Sequence, residues 1–390
     1  VDGNDDRPKR FIELDGADID AVLDSLAREP RLAVDTESDS FHRYFEKVCL
    51  IQISTPSTDW FFDPLRHGMP PRIAALLSRQ DRLLVLHGAD SDVRALKRSF
   101  GLGLGRLFDT SVAASLLGAP GLGLKALLEA ELEVVIDKGE QRSDWGRRPL
   151  SAEQLEYARQ DTRWLLPLAD RLSARLELAG RSAWLAEECE LIRGRESVER
   201  AFDPEAWRKL TGARALGPRG RRALAAAFGW REEVARRVDR PPFRVATNEL
   251  LVRLAAELER TPTADEDPLR GAAFVSKWID LAGLRQALRE RLAGPDPGAR
   301  APGPRPGETR KEPTATTDPD AKARLERLRK ARSEGAQALA LDPGFLVSGA
   351  ALERLARKPV RALDELREVG GLTAWRTEAI GPRLLEALRP

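Results

Sequence analysis

Over the first 120 residues, short apolar runs alternate with longer amphipathic ones. "RLAVDTES" (31–38), "KVCLIQIS" (47–54), "DWFFDPL" (59–65) and "RLLVLHG" (82–88) are brief and rich in Val, Ile, Leu or Phe. Such runs predict buried strands. The first three follow one another closely, which predicts an antiparallel meander. Helical spacing appears in "DIDAVLDSLAREP" before the first strand, and in "PPRIAALLSR" and "DSDVRALKRSF" around the fourth. The pattern is that of an α/β domain on a mixed sheet.

From about residue 150 the period is helical almost throughout. "SAEQLEYARQDTRWLLPLADRLSARLELAG" (151–180) predicts one long helix, with Ser151 as N-cap and Gln154 three residues on, a capping-box pattern. Residues 293–319, "AGPDPGARAPGPRPGETRKEPTATTDP", lack any apolar period and predict a flexible linker, because they cannot bury enough surface to offset the entropy of ordering. Beyond it "AKARLERLRKARSEGAQAL" resumes as a charged helix, followed by shorter ones.

Composition narrows the chemistry. With 42% hydrophobic and 32% charged residues the chain is expected to fold as a soluble protein. It has no apolar run that could span a bilayer, and the acidic opening "VDGNDD" is unlike a signal peptide. Cys49 and Cys189 stand in apolar or helical surroundings without CxxC pairing, as expected of reduced cysteines in the cytoplasm. Three histidines and no HxxH or HExxH leave little for a zinc site. A metal, if used, would be a hard ion on carboxylates. Residues 1–200 carry 28 Lys and Arg against 35 Asp and Glu, whereas residues 201–390 carry 36 against 27. A basic second half suits phosphate backbones, though arginine-decorated helices alone would produce the same count.

Four acids then stand out. Asp35 and Glu37 are two apart at a strand end and share a face. Asp92 falls in the first turn of the helix after "RLLVLHG", with Asp90 or Ser91 as the expected cap. Asp161 lies on the helix after residue 151, one turn beyond Tyr157, so phenol and carboxylate face the same way. Each alone reads as a solvated acid or an ordinary helix residue. Together, drawn from a strand end, the turn after a later strand and a following helix, they can hold two Mg²⁺ or Mn²⁺ ions for an in-line displacement at phosphorus.

"AVDTES", "LHGADSDVRAL" and "LEYARQDTRWLLPL" resemble the three exonuclease motifs of the ribonuclease D family, in the DEDD group with tyrosine in the third motif; "EQRSDWGRRPLSAEQLEYA" is also similar. The resemblance covers about residues 10–190 and implies an RNase H-like exonuclease domain. "WRKLTGARALGPRGRRALAAAFGWREEVARRVDRPPFRVATNELLVRLA" resembles an HRDC domain, expected over 200–292. "LDPGFLVSGAALERLARKPVRALDELREVGGLTAWRTEAIGPRLLEAL" resembles a second, more diverged copy, expected over 320–390. Read structurally, these are helical bundles with Trp207, Trp230 and Trp375 in their cores.

The resemblance implies that Asp35, Glu37, Asp92 and Asp161 ligate two divalent ions and that Tyr157 positions the attacking water. It further implies hydrolysis of terminal phosphodiesters from the 3′ end, releasing nucleoside 5′-monophosphates. The expected partner is RNA with a free 3′ end, such as a transfer-RNA precursor, with no membrane and no obligate protein partner. A single-strand DNA exonuclease and a non-catalytic nucleic-acid-binding protein are the alternatives. Four further residues have two readings each. His87 touches substrate or closes a strand end; Gln52 reaches the terminal nucleotide or bonds within the sheet. Trp145 stacks on a base, and Arg147 pairs with a phosphate, or both pin their loop. Asp109 is expected to cap the helix after it, and "GLGLG" (101–105) to be a flexible turn, since it lacks GxGxxG spacing.

Overall fold

The computed structural model describes residues 9–12, 19–136, 139–197, 201–260, 281–293 and 318–389; residues 294–317 of the expected linker lie outside them. The chain forms two compact units that cross the order of the sequence. The first comprises residues 1–37, 48–198 and 311–390, and the second residues 38–47 and 199–310. Among the described residues no helix is long and apolar enough to cross a membrane.

The first unit is built on a six-stranded sheet, β1 (Lys9–Phe11), β2 (Arg31–Ser38), β3 (Val48–Ser54), β4 (Asp59–Phe62), β5 (Leu83–Leu86) and β6 (Arg106–Asp109), in the order β1-β4-β3-β2-β5-β6. The four expected strands are present, and β2, β3 and β4 stand side by side with β3 antiparallel to β4. β1 escapes the pattern because it has three residues, and β6 because its four (RLFD) hold only two apolar ones between charged ends, unlike DWFF and LLVL. β6 follows directly from "GLGLG", whose Leu102 and Leu104 are buried; this is a packed lead-in to a strand rather than a loose turn. β2, β5 and β6 run parallel, pairing Ala33 with Val85 and Leu86 with Asp109. Extending that register sets Asp35 level with His87. The ends of β2 and β5 therefore open on one edge, where α/β sheets bind ligands.

The expected long helix is two helices, Ala152–Arg163 and Leu165–Leu178. Pro167 explains the break, since it cannot donate to the carbonyl four residues back and its ring clashes there. The capping box forms as expected: Gln154 N–H donates to Ser151 Oγ at 3.2 Å, and Ser151 N–H to Gln154 Oε1 at 3.0 Å.

The C-terminal helices Pro319–Leu339, Gly349–Arg357, Leu363–Gly370 and Ala374–Leu388 share one apolar core with the sheet. Trp375 stacks on Trp184 with centroids 4.6 Å apart, a pairing that adds about 0.5–1.5 kcal/mol to burial. Glu187 accepts from the backbone N–H groups of Ala374 (2.6 Å) and Trp375 (3.0 Å), so the last helix is capped from the Ser182–Arg193 helix. At Gly118 (φ 70°) a Cβ would stand 2.0 Å from the Ala340 carbonyl oxygen, a contact only glycine permits.

In the second unit the helices Pro218–Arg237, Asn248–Arg260 and Leu281–Leu292 bury Trp207, Trp230, Leu251 and Leu284. Tyr44, from the segment that leaves β2, packs against this helical core.

Candidate active site

Leu32, Ala33 and Val34 anchor β2 in the core, and the strand then emerges as Asp35-Thr36-Glu37. One carboxylate oxygen from each of Asp35, Glu37 and Asp161 lies within 4.8 Å of the others. At an effective dielectric of about 20, two charges at that separation repel by roughly 3–4 kcal/mol. Burial pushes the Asp35 carboxyl well above the ordinary carboxylate range, and the charges of Asp92, Asp161 and Glu37 push it further. Burial, then Asp161 and Asp92, do the same to Glu37. The charges that act most strongly on these two groups all belong to other carboxylates. Such a set is unfavourable as it stands and fits hard divalent cations, whose preferred ligands are carboxylate oxygens.

Asp92 joins electrostatically but stands outside the tight trio. Its carboxylate accepts the Thr36 hydroxyl at 2.6 Å, and burial pushes its carboxyl up to about 6. Thr36, between the two acids of β2, thus clasps the third. Its own helix begins at Ala89 without a side-chain cap, so neither Asp90 nor Ser91 fills the expected role. Asp109 supplies it from β6. Its carboxylate accepts from Gly88 N–H (3.0 Å) and Ala89 N–H (2.7 Å) as well as from Ser111 (2.8 Å) and Val112 (3.3 Å) in its own helix. Asp109→Ala is therefore expected to cost roughly 2–4 kcal/mol by leaving several N–H groups unmet. It should also slow turnover about tenfold by loosening the turn that carries Asp92. Denaturation and initial rates check this together, and a stability loss with unchanged rate would reduce Asp109 to a cap.

Tyr157 projects from the Ala152–Arg163 helix and hydrogen-bonds to Asp161. Burial, and then the charges of Asp161 and Glu37, raise its phenol above the ordinary value. The ring rests on Trp145, centroids 6.0 Å apart, beside Cys49, Leu50, Phe61 and Ala158. The helix is fixed to the sheet by buried polar contacts. Ser54 Oγ donates to Asp59 Oδ1 and lies 2.7 Å from Thr162 Oγ1, while Arg159 is within 3.9 Å of Asp59.

The weaker candidates separate. Trp145 is 1% exposed, so it cannot stack on a base; it pins the floor beneath Tyr157. The tie of its loop is Arg148, which donates to both oxygens of Asp63 and to the carbonyls of Trp145 and Cys49. Arg147 is exposed. His87 Nδ1 lies 2.9 Å from Thr110 Oγ1, whose own proton goes to the Leu86 carbonyl, so Nδ1 carries hydrogen and closes the strand end. Gln52 is fully buried, and among the described residues neither end of its amide has a hydrogen-bond partner. Sequence reasoning missed Thr36, Asp59, Arg148 and the second role of Asp109. Of these only Asp109, in the cap-like "LFDTS", left a local signal.

Comparison with known proteins gives the geometry a family. Residues 14–177 match the 3′–5′ exonuclease domain model, and residues 221–264 and 321–388 match the HRDC domain model. Ribonuclease D of Xanthomonas oryzae is 37% identical over 246 residues, covering 62% of this chain and 66% of that protein. Ribonuclease D of Acidiphilium cryptum is 30% identical over 93% of this chain and 88% of that protein. Among solved structures, the catalytic core of RRP6 from Trypanosoma brucei superposes with a TM-score of 0.66 at 29% identity, covering 74% of this chain and 80% of that one. The Escherichia coli RNase D structure shares the fold over 97% of this chain and 98% of that one, with a TM-score of 0.65 at 24% identity. The chain belongs to the ribonuclease D family.

Proposed function

We propose that this protein is a 3′–5′ exoribonuclease that removes nucleoside 5′-monophosphates one at a time, with two Mg²⁺ or Mn²⁺ ions at Asp35, Glu37, Asp92 and Asp161. One observation carries the reading: three half-buried carboxylates within 4.8 Å of each other, beside a phenol bonded to one of them. Bound divalent ions would supply positive charge for the phosphorane-like transition state and make water more acidic. The protein's own groups do the rest. Thr36 and Asp109 hold Asp92 in register with β2, and the Ser54–Asp59–Thr162 contacts hold the helix that presents Tyr157 and Asp161. Because its pKa lies above the usual value near 10, Tyr157 stays protonated at neutral pH and orients the attacking water rather than removing its proton. The exposed Arg147 is the proposed contact to a phosphate, whereas Gln52, fully buried within β3, is out of reach of a nucleotide for the same reason as Trp145.

The proposed substrates are RNAs with single-stranded 3′ ends, including transfer-RNA precursors, in the cytoplasm. The test uses 5′-labelled RNA and matched single-stranded DNA with Mg²⁺, Mn²⁺ or EDTA. Stepwise shortening from the 3′ end of RNA, stopped by EDTA, is expected. Faster loss of DNA would point to a DNA exonuclease, and binding without cleavage to a non-catalytic protein.

A further inference from the structure

Ser38–Lys47, which follows Glu37 directly, contains Phe41, Tyr44 and Phe45. It belongs to the second unit, and it is held there firmly. The backbone N–H groups of Tyr44 and Phe45 both donate to the Asp239 carboxylate at 3.1 Å, and the Tyr44 phenol donates to Glu232. Arg240 donates to the His42 carbonyl at 3.0 Å. Within the segment, Asp39 accepts from the Lys47 N–H at 2.8 Å. Asp239 itself adopts φ 47°, a left-handed conformation that Asp tolerates better than most residues.

A segment so fastened could have buried its rings. Instead Phe41 is 42% and Phe45 51% exposed, and Phe243 on the same unit is 49% exposed. Arg244 lies over the Phe243 ring at 5.7 Å and donates to the Phe41 carbonyl at 3.4 Å, which ties the backbone at Phe41 to the side of Phe243. Lys47, Arg236 and Arg244 are exposed on the same segments. Rigid exposed rings beside arginines match the two needs of single-stranded nucleic acid, a face for each base and a cation for each phosphate.

We propose that Phe41, Phe45 and Phe243, with Arg244, form a stacking platform for single-stranded RNA. The inference rests on the exonuclease reading. A platform of this kind takes up the length of the strand, so its contribution grows with the length of the RNA. Base stacking of this kind tolerates any sequence, as suits an enzyme that must advance.

The test measures Phe41→Ala, Phe45→Ala and Phe243→Ala in the full chain on a single-stranded RNA of about 12 nucleotides and on a dinucleotide. The expected result is a rise in KM of about tenfold or more on the longer RNA. kcat should change less than twofold, the dinucleotide rate should be unchanged, and Phe41→Trp should restore KM. Anisotropy of the labelled RNA in EDTA should show the same loss of binding without any turnover. Unchanged KM and binding, with wild type still degrading RNA, would overturn the platform alone. Equal losses on both substrates would overturn it too, as would loss of a dimer in sedimentation without loss of RNA binding. If wild type degrades no RNA yet binds it through these rings, the exonuclease reading fails and the platform stands.

Discussion

Asp161→Asn is expected to abolish RNA hydrolysis, by about a thousandfold or more, while making the metal-free protein more stable. Most substitutions at a buried polar site destabilise, so the sign is diagnostic. Asp161 is one of three carboxylates within 4.8 Å, and its charge pushes the Asp35 and Glu37 carboxyls upward. An asparagine keeps the shape and removes that repulsion. A relief of about 1 kcal/mol would raise the unfolding midpoint by roughly 2–4 °C. The cluster's pH dependence follows the same logic. With Asp92 pushed up to about 6 by burial, the folded chain below that pH holds a proton that the unfolded chain releases until about pH 4. The native state then binds more protons than the unfolded state, so stability falls as pH rises through this window. Metal-free wild type should therefore gain stability from pH 7 to pH 5, and gain more than Asp161→Asn does. Thermal unfolding in EDTA across that range measures both effects, and a lower midpoint for Asp161→Asn at pH 7 would contradict the repulsion.

Tyr157→Phe should separate chemistry from structure at a second point. Phenylalanine keeps the ring that rests on Trp145 and loses only the hydroxyl bonded to Asp161. Fold and metal binding are expected to be unchanged while kcat falls roughly a hundredfold, the scale of a lost orienting contact at a reacting centre. In the metal-free protein the raised phenol pKa should keep Tyr157 free of phenolate absorbance between pH 7 and 9. A Tyr157→Phe enzyme working at the wild-type rate would remove the water-positioning role.

What the sequence made legible was local or repeated. Ser151 and Gln154 lie within one turn, and their capping box forms as written. Asp35 and Glu37 share a strand face by alternation, and Tyr157 and Asp161 a helix face by period, so their meeting needed only the two elements to approach. The rest depends on partners far apart in sequence. Asp109 reaches back to Gly88 and Ala89 across parallel strands, and no local pattern reports a cap supplied from another strand. Thr36 looked like a spacer between two acids until the helix carrying Asp92 was placed beside it. Trp145 left two readings open, because an aromatic beside basic residues suits stacking on a base as well as packing; its burial decides for the floor under Tyr157. The boundary at Glu37–Ser38, where one compact unit gives way to the other within a continuous strand, has no compositional mark at all.

Mn²⁺ binding tests, without reference to turnover, whether the repelling carboxylates exist to hold divalent ions. Free Mn²⁺, followed by electron paramagnetic resonance while the ion is titrated into the full chain, should disappear onto two sites in wild type and in Tyr157→Phe. With Asp35→Asn at least one site should be lost. Equal Mn²⁺ uptake by wild type and Asp35→Asn, or no uptake by wild type at millimolar ion, would contradict it.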